Sequence, residues 1–291
     1  MIVRVPASSA NLGPGFDSFG VAWRLYNEIE FDLADEGLCI TGCDPRYAGE
    51  DNLAYRAFRR VLAYSGRSLR GLRINFIKSE IPVSRGLGSS AALITAGVVA
   101  ANKLYGLGLS KGELLDLATA VEGHPDNVAP ALYGGLTVSL TEGEHAVTRR
   151  FPLSEKLFCT LLIPPFELST ALARGVMPKQ VSMKDAVFNL SRAALLPRAL
   201  ADGDTELLRI AVEDRLHQPY RFGLIEKSEV VRAIAEQCGA SALCISGAGS
   251  TLLCISDDER CGERLKAETA QILPDWKVIG VLPDEEGARV V

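Results

Sequence analysis

Three glycine-rich loops hold most of the residues that could do chemistry. One runs Ile81-Pro82-Val83-Ser84-Arg85-Gly86-Leu87-Gly88-Ser89-Ser90-Ala91-Ala92 and passes straight into the apolar stretch Leu93 to Ala101. A loop that bends at Gly86 and Gly88 and then opens a helix is an anion site. The glycines let the backbone approach a ligand, and the first helical N–H groups have no partners inside the helix. Ser89 and Ser90 are expected to cap that helix and to add hydroxyls. No Gly-Lys-Ser/Thr follows, so this is not a Walker loop, and the glycines are too few for a dinucleotide fingerprint.

The second loop, Ala7 to Asp17, is dense in turn formers and can present Asn11 and Asp17, either as ligand groups or as capping Asx residues. The third, Ser246-Gly247-Ala248-Gly249-Ser250, lies between two apolar runs and reads as a glycine hairpin or as a backbone-lined wall for a ligand. Glu122 ends a helix that a Ser110–Glu113 capping box begins and Gly123 stops. A carboxylate at the negative end of a helix is disfavoured by up to about 1 kcal/mol, so Glu122 needs solvent or a positive partner, and a metal ion would supply one. His124-Pro125-Asp126-Asn127 follows, in which Asp126 or Asn127 caps the next helix or faces a substrate hydroxyl, and His124 is a loop hydrogen-bonder or a ligand. Thr170 and Arg174, spaced i and i+4, share one side of a helical turn, and Arg221 stands just past a helix end.

The elements that position these residues follow from periodicity. Ile2 to Val5 reads as a strand, Leu25 to Asp32 and Leu38 to Ile40 as a hairpin through Asp35-Glu36-Gly37, and Asp51 to Tyr64 as a core-facing helix with Asp51 as its cap. Leu72 to Phe76 is a strand leading into the anion loop. Helices over Met183 to Leu195, Thr205 to Leu216, Ser228 to Cys238 and Asp258 to Ile272 are mixed with strands at Leu157 to Ile163, Ser241 to Ile245, Thr251 to Ile255 and Lys277 to Leu282. That mixture predicts an α+β protein. With 291 residues the chain exceeds one ordinary core, and the polar stretch Thr141 to Glu155 places a boundary, giving domains 1–153 and 154–291.

The composition, 47% hydrophobic and 23% charged with a net charge of −5, is that of a globular enzyme. The lack of basic clusters argues against nucleic acid or an anionic membrane as partner. Seven cysteines without a Cys-x-x-Cys read as small core residues in a reducing cytosol, and no zinc site is expected. The start of the chain lacks a signal-type apolar segment and no run is long enough to span a bilayer, so a cytoplasmic protein is expected.

Taken in order, Pro-x-Ser-x-x-Asn-Leu-Gly-Pro-Gly-Phe-Asp, Pro-x-x-x-Gly-Leu-Gly-Ser-Ser-Ala-Ala and Ser-Gly-Ala-Gly-Ser-Thr resemble the three motifs of the GHMP small-molecule kinases, over nearly the whole chain. With Glu-Gly-His-Pro-Asp-Asn-Val-Ala-Pro and Ser-Thr-x-x-x-Arg the likeness is to the homoserine kinase family within them. The resemblance implies a two-domain fold, the first domain of ribosomal-protein-S5 domain 2 type with a left-handed crossover and the second ferredoxin-like. It implies that Pro82 to Ala92 wrap the ATP phosphates, that Ser90 and Glu122 hold Mg²⁺, and that Asn127, Arg174 and Glu122 are the catalytic residues, with L-homoserine as acceptor on the way to threonine. A homodimer is compatible with it.

Homoserine is a zwitterion with one hydroxyl. Arg174 and Arg221 suit its carboxylate, because a guanidinium grips one with two hydrogen bonds. Asp17, with Asn11 beside it, suits the ammonium, and Asn127 the hydroxyl, with Thr170, His124 and Gly247 also on the substrate side. Asp126 is the nearest residue that could act as a base. Direct transfer without one is favoured, because phosphoryl transfer depends chiefly on positioning and charge neutralisation. The rival readings are another GHMP kinase acting on a mevalonate-like alcohol, and a catalytically silent ligand-binding regulator on the same scaffold.

Overall fold

The computed structural model describes all 291 residues. Two long strands set up the first sheet. β1 (Ile2–Ala10) and β2 (Phe19–Ala34) pair antiparallel and enclose between them the loop that carries Asn11 and Asp17. β3 (Gly37–Thr41) follows, then α1 (Leu53–Tyr64), β4 (Gly71–Ser79), α2 (Ser89–Leu104), α3 (Lys111–Glu122), α4 (Pro125–Tyr133), β5 (Leu136–Glu142) and β6 (His145–Phe151). The free side of β2 is shared: β4 takes Asn27 to Ala34, and β5 takes Phe19 to Val21 and leads on to β6.

This sharing overturns the expected hairpin at Asp35-Glu36-Gly37. β4 already fills the edge of β2, so β3 lies beyond β4 and pairs with it in parallel, Gly37 opposite Gly71, with α1 as the crossover. Gly71 has no side chain to obstruct the approach; a Cβ there would sit 2.5 Å from the Glu36 carbonyl carbon. The cap of α1 is Asn52, whose Oδ1 accepts from the Ala54 and Tyr55 N–H groups, and not Asp51. α2 is apolar around almost its whole circumference because it runs through the core. Gly97 lets α1 pack against it at a distance where a Cβ would meet the Ala54 carbonyl at 2.2 Å.

The second half runs β7 (Phe158–Ile163), α5 (Thr170–Gly175), α6 (Met183–Asp202), α7 (Thr205–Ala211), α8 (Gln218–Arg221), α9 (Ser228–Gln237), β8 (Ala242–Ile245), β9 (Leu252–Ser256), α10 (Cys261–Ile272) and β10 (Lys277–Val281). Its antiparallel sheet has the order β10-β7-β9-β8, fourth-first-third-second, which is the ferredoxin-like arrangement the resemblance implies. Chain ends depart from the sequence reading. The last strand, β11 (Arg289–Val290), returns to the first sheet and pairs with β1, and Pro283 bridges to Trp23, so the final residues staple the two halves together. No helix is long and apolar enough to cross a membrane.

Candidate active site

The three glycine loops converge on one another, although they are up to 240 residues apart, because backbone hydrogen bonds tie them. Ser8 N–H donates to the Leu87 carbonyl (3.1 Å), Thr251 N–H to Arg85 (3.1 Å), and Gly247 N–H to Ala10 (2.8 Å). Ser246 Oγ lies 2.6 Å from both the Gly86 carbonyl and Ser9 Oγ, and Ser9 Oγ accepts from Trp23 Nε1. Gly86 is needed for this closure, since a Cβ there would stand 2.1 Å from the Ser246 carbonyl oxygen. Between the loops lies one cleft of about 800 Å³, running from Cys43, Tyr47 and Asn52 past the anion loop to Asn11, Asn127, Arg174 and Arg221. A volume of that size suits two small ligands placed end to end better than a single amino acid.

At the mouth of α2 the caps differ from expectation. The N-cap is Gly88, in left-handed conformation (φ 68°), and neither Ser89 nor Ser90 makes a capping bond. The Gly88, Ser89, Ser90 and Ala91 N–H groups donate to no group of the chain, which leaves four donors and the positive helix end for an anion. Of the loop residues, Val83, Ser84, Arg85, Gly86, Gly88, Ser89 and Ser90 line the cleft. Leu87, Ala91 and Ala92 turn their side chains into the core, and Pro82 does not line the cleft; these residues can contribute backbone only.

Ser90 turns instead to Glu122. Its Oγ donates to Glu122 Oε1 at 2.5 Å, bringing the last residue of α3 against the first turn of α2. The Glu122 carboxyl has no ion-pair partner. Burial pushes its pKa up, and the Ser90 bond offsets this only in part. An oxygen-only donor pair with a half-buried, unpaired carboxylate beside open amides fits a hard divalent cation held next to phosphate. Two residues on, His124 Nδ1 lies 2.5 Å from Asp126 Oδ1. Burial lowers the His124 pKa, but the bond and charge of Asp126, with Glu122 nearby, outweigh it and raise the value. Asp126 itself is fully buried and, unlike His124 and Asn127, does not line the cleft.

In the first loop, Asn11 Oδ1 accepts from Asp17 N–H (2.8 Å) and so holds the turn that carries Asp17, which unlike Asn11 does not itself line the cleft. Arg174 grips Asp17 with both terminal nitrogens, at 2.6 and 3.1 Å. The two residues assigned to opposite ends of the zwitterion thus satisfy each other. Asn127 Oδ1 accepts from Ser8 Oγ (2.9 Å), which orients its amide toward the cleft. Thr170 is exposed at the first turn of α5 and lines the cleft. Gly247 lines the cleft; its N–H donates to the Ala10 carbonyl and its own carbonyl accepts from Arg221, so it also places the arginine.

Arg221 lies past the end of α7 as the last residue of the short helix α8, and it is 1% exposed. Its acceptors are two backbone carbonyls, Ala173 and Gly247, each at 3.3 Å, and no carboxylate pairs with it. Burial, then the charge of Arg174, pull its pKa down. A buried guanidinium with spare donors that opens on a cleft is a binding site for an anion.

Family models match the chain in both halves: "GHMP kinases N terminal domain" over residues 52–135 and "GHMP kinases C terminal" over 196–271. The homoserine kinase of Clostridium beijerinckii is 43% identical over 99% of this chain and 98% of its own length. The chain belongs to the homoserine kinase family of GHMP kinases. A family member from Clostridium botulinum is also 43% identical, over 99% of this chain and 97% of that protein. The crystal structure of homoserine kinase from Cytophaga hutchinsonii superposes with a TM-score of 0.89 at 30% identity, covering all of this chain and 97% of that one. L. major mevalonate kinase shares the fold (TM-score 0.74) at 16% identity. Members of this kinase family draw their phosphoryl group from ATP.

Sequence reasoning missed Ser8, Phe16, His217 and Gln218. Ser8 and Phe16 sit inside the first motif and could have been singled out there. His217 is fully buried, and Gln218 Oε1 accepts from Ile245 N–H at 2.9 Å; neither has a local signal, because each acts on a segment far away in the chain.

Proposed function

We propose that the chain transfers the γ-phosphoryl group of ATP to the hydroxyl of L-homoserine, giving O-phospho-L-homoserine for threonine synthesis. The observation that carries this reading is Arg221, a buried guanidinium without a counter-ion at the far end of the cleft from Tyr47 and Asn52, beside a second arginine and an aspartate. An amino acid fits that set and a plain hydroxy acid does not. Its carboxylate takes Arg221 and Arg174, and its ammonium takes the Asp17 carboxylate that Arg174 releases. Both halves of the Asp17–Arg174 pair then find replacements, so binding leaves no charge alone.

Phosphates rest on the open Gly88 to Ala91 amides, and Asn127, steadied by Ser8, aims the hydroxyl. Ser90 Oγ and the Glu122 carboxylate would hold Mg²⁺, which when bound neutralises charge building on the transferred group. No strong base is invoked: Asp126 is fully buried and its Oδ1 is held by His124. We place the protein in a reducing, cytoplasmic setting, a reading supported by seven free cysteines, five of them buried. The test is ADP release with homoserine and with mevalonate. Release with homoserine alone supports the reading; equal release with mevalonate contradicts it.

A further inference from the structure

Two guanidinium groups meet in the acceptor pocket, and one aromatic ring touches both. The Arg221 ζ carbon lies 4.9 Å from the centre of the Phe16 ring, and that of Arg174 lies 5.5 Å from it. Arg174 has Asp17 as counter-ion, but Arg221 has only carbonyls, so their mutual repulsion is incompletely cancelled. An aromatic face attracts cations through its quadrupole, and does so more strongly where water is excluded. The ring is itself backed. His217 stacks on Phe16, with centroids 5.3 Å apart and planes at 28°. Its Nε2–H donates to the Gly13 carbonyl at 2.7 Å, so a side chain from the second half grips the loop that carries Phe16 and Asp17.

We propose that Phe16 is a specificity-determining residue: its ring gathers Arg174 and Arg221 into one clamp for the acceptor's carboxylate, and His217 is the positioning residue that holds the ring in place. The inference rests on the amino-acid reading of the acceptor site and names what makes the carboxylate count there. A site so built discriminates against acceptors without a carboxylate, which would leave two adjacent guanidiniums facing each other.

The ring's electrostatics can be changed with little change in its shape by incorporating a fluorinated phenylalanine at position 16. The expected result is a rise of about tenfold in the KM for homoserine, while the KM for ATP stays within about twofold and the melting temperature is kept. Phe16→Leu should show the same selective loss and Phe16→Tyr should recover most of it. His217→Leu should raise the homoserine KM in the same selective way, and His217→Gln, which retains an N–H for Gly13, should recover part of the loss. An unchanged homoserine KM in the fluorinated protein overturns the proposal, as does an equal rise in both KM values. Should the unmodified protein release no ADP with homoserine, the acceptor reading fails before the ring is tested.

Discussion

Replacing Gly88 by alanine probes the junction between the loop that opens α2 and the Ser8–Asn127 pair. Gly88 has φ 68°, and a Cβ there would lie 2.0 Å from Ser8 Oγ, 3.1 Å from Asn127 Oδ1 and 3.2 Å from the Ser8 carbonyl oxygen. Ser8 is fully buried and cannot swing into solvent. The left-handed backbone costs an alanine about 1–2 kcal/mol. Displacing the Ser8–Asn127 hydrogen bond adds about 1 kcal/mol, and crowding a closed site adds roughly 1–3 kcal/mol. Gly106 supplies the control, because its φ is 59° and a Cβ added there would meet nothing within 4 Å. Gly106→Ala should therefore lose only the backbone contribution and keep its activity. Gly88→Ala should lose stability beyond that and, by moving Asn127 off the hydroxyl, about a hundredfold in kcat. The assay is coupled ADP release at saturating ATP and homoserine, with thermal unfolding alongside. If Gly88→Ala and Gly106→Ala have the same kcat, the link from Gly88 through Ser8 to Asn127 is refuted.

Three other outcomes are expected. Glu122→Gln removes a half-buried carboxylate whose pKa is raised by desolvation, so the ligand-free protein should be no less stable, yet it should need about tenfold to a hundredfold more Mg²⁺ for half-maximal activity; an unchanged Mg²⁺ titration removes Glu122 from the metal site. Asp17→Asn should cut kcat/KM for homoserine about tenfold or more while changing that for 4-hydroxybutyrate, which has no ammonium, much less; equal losses would show that Asp17 serves only to orient Arg174. His217 has its pKa lowered by burial, so between that lowered value and the usual histidine value of about 6.5 the unfolded chain binds a proton that the folded chain does not. Stability is then full above about pH 6.5 and falls as pH drops below it. His217→Gln should lack this component, and identical pH profiles of melting temperature would contradict the assignment.

The sequence carried the three loops plainly, because their closure on one another needs glycine where a Cβ would clash, as at Gly86 and Gly88, and that need shows as residue type. What it hid was long-range. Alternation from Leu25 to Asp32 and a turn at Asp35-Glu36-Gly37 look like a hairpin, but the partner of β2 is decided by β4, which outcompetes β3 for that edge. The caps of α1 and α2 fell one residue away from the expected positions, since Asn52 and Gly88 adopt the needed backbone angles while neighbouring Asp51, Ser89 and Ser90 do not serve. The sequence could assign Arg221 to a carboxylate but could not show its burial, which comes from Phe16, Ala173 and Gly247, all distant in the chain. Nor could the sequence show that Arg174 and Asp17, each assigned to the ligand, pair with each other.

The most direct measurement is a crystal structure with a non-hydrolysable ATP analogue and L-homoserine bound together. The account predicts the β- and γ-phosphates on the Gly88 to Ala91 amides, the Asp17–Arg174 pair opened, and the homoserine carboxylate on Arg221 with its hydroxyl beside Asn127 and facing the γ-phosphate. A triphosphate seated elsewhere, or a homoserine bound with the Asp17–Arg174 pair intact and Arg221 untouched, would contradict it.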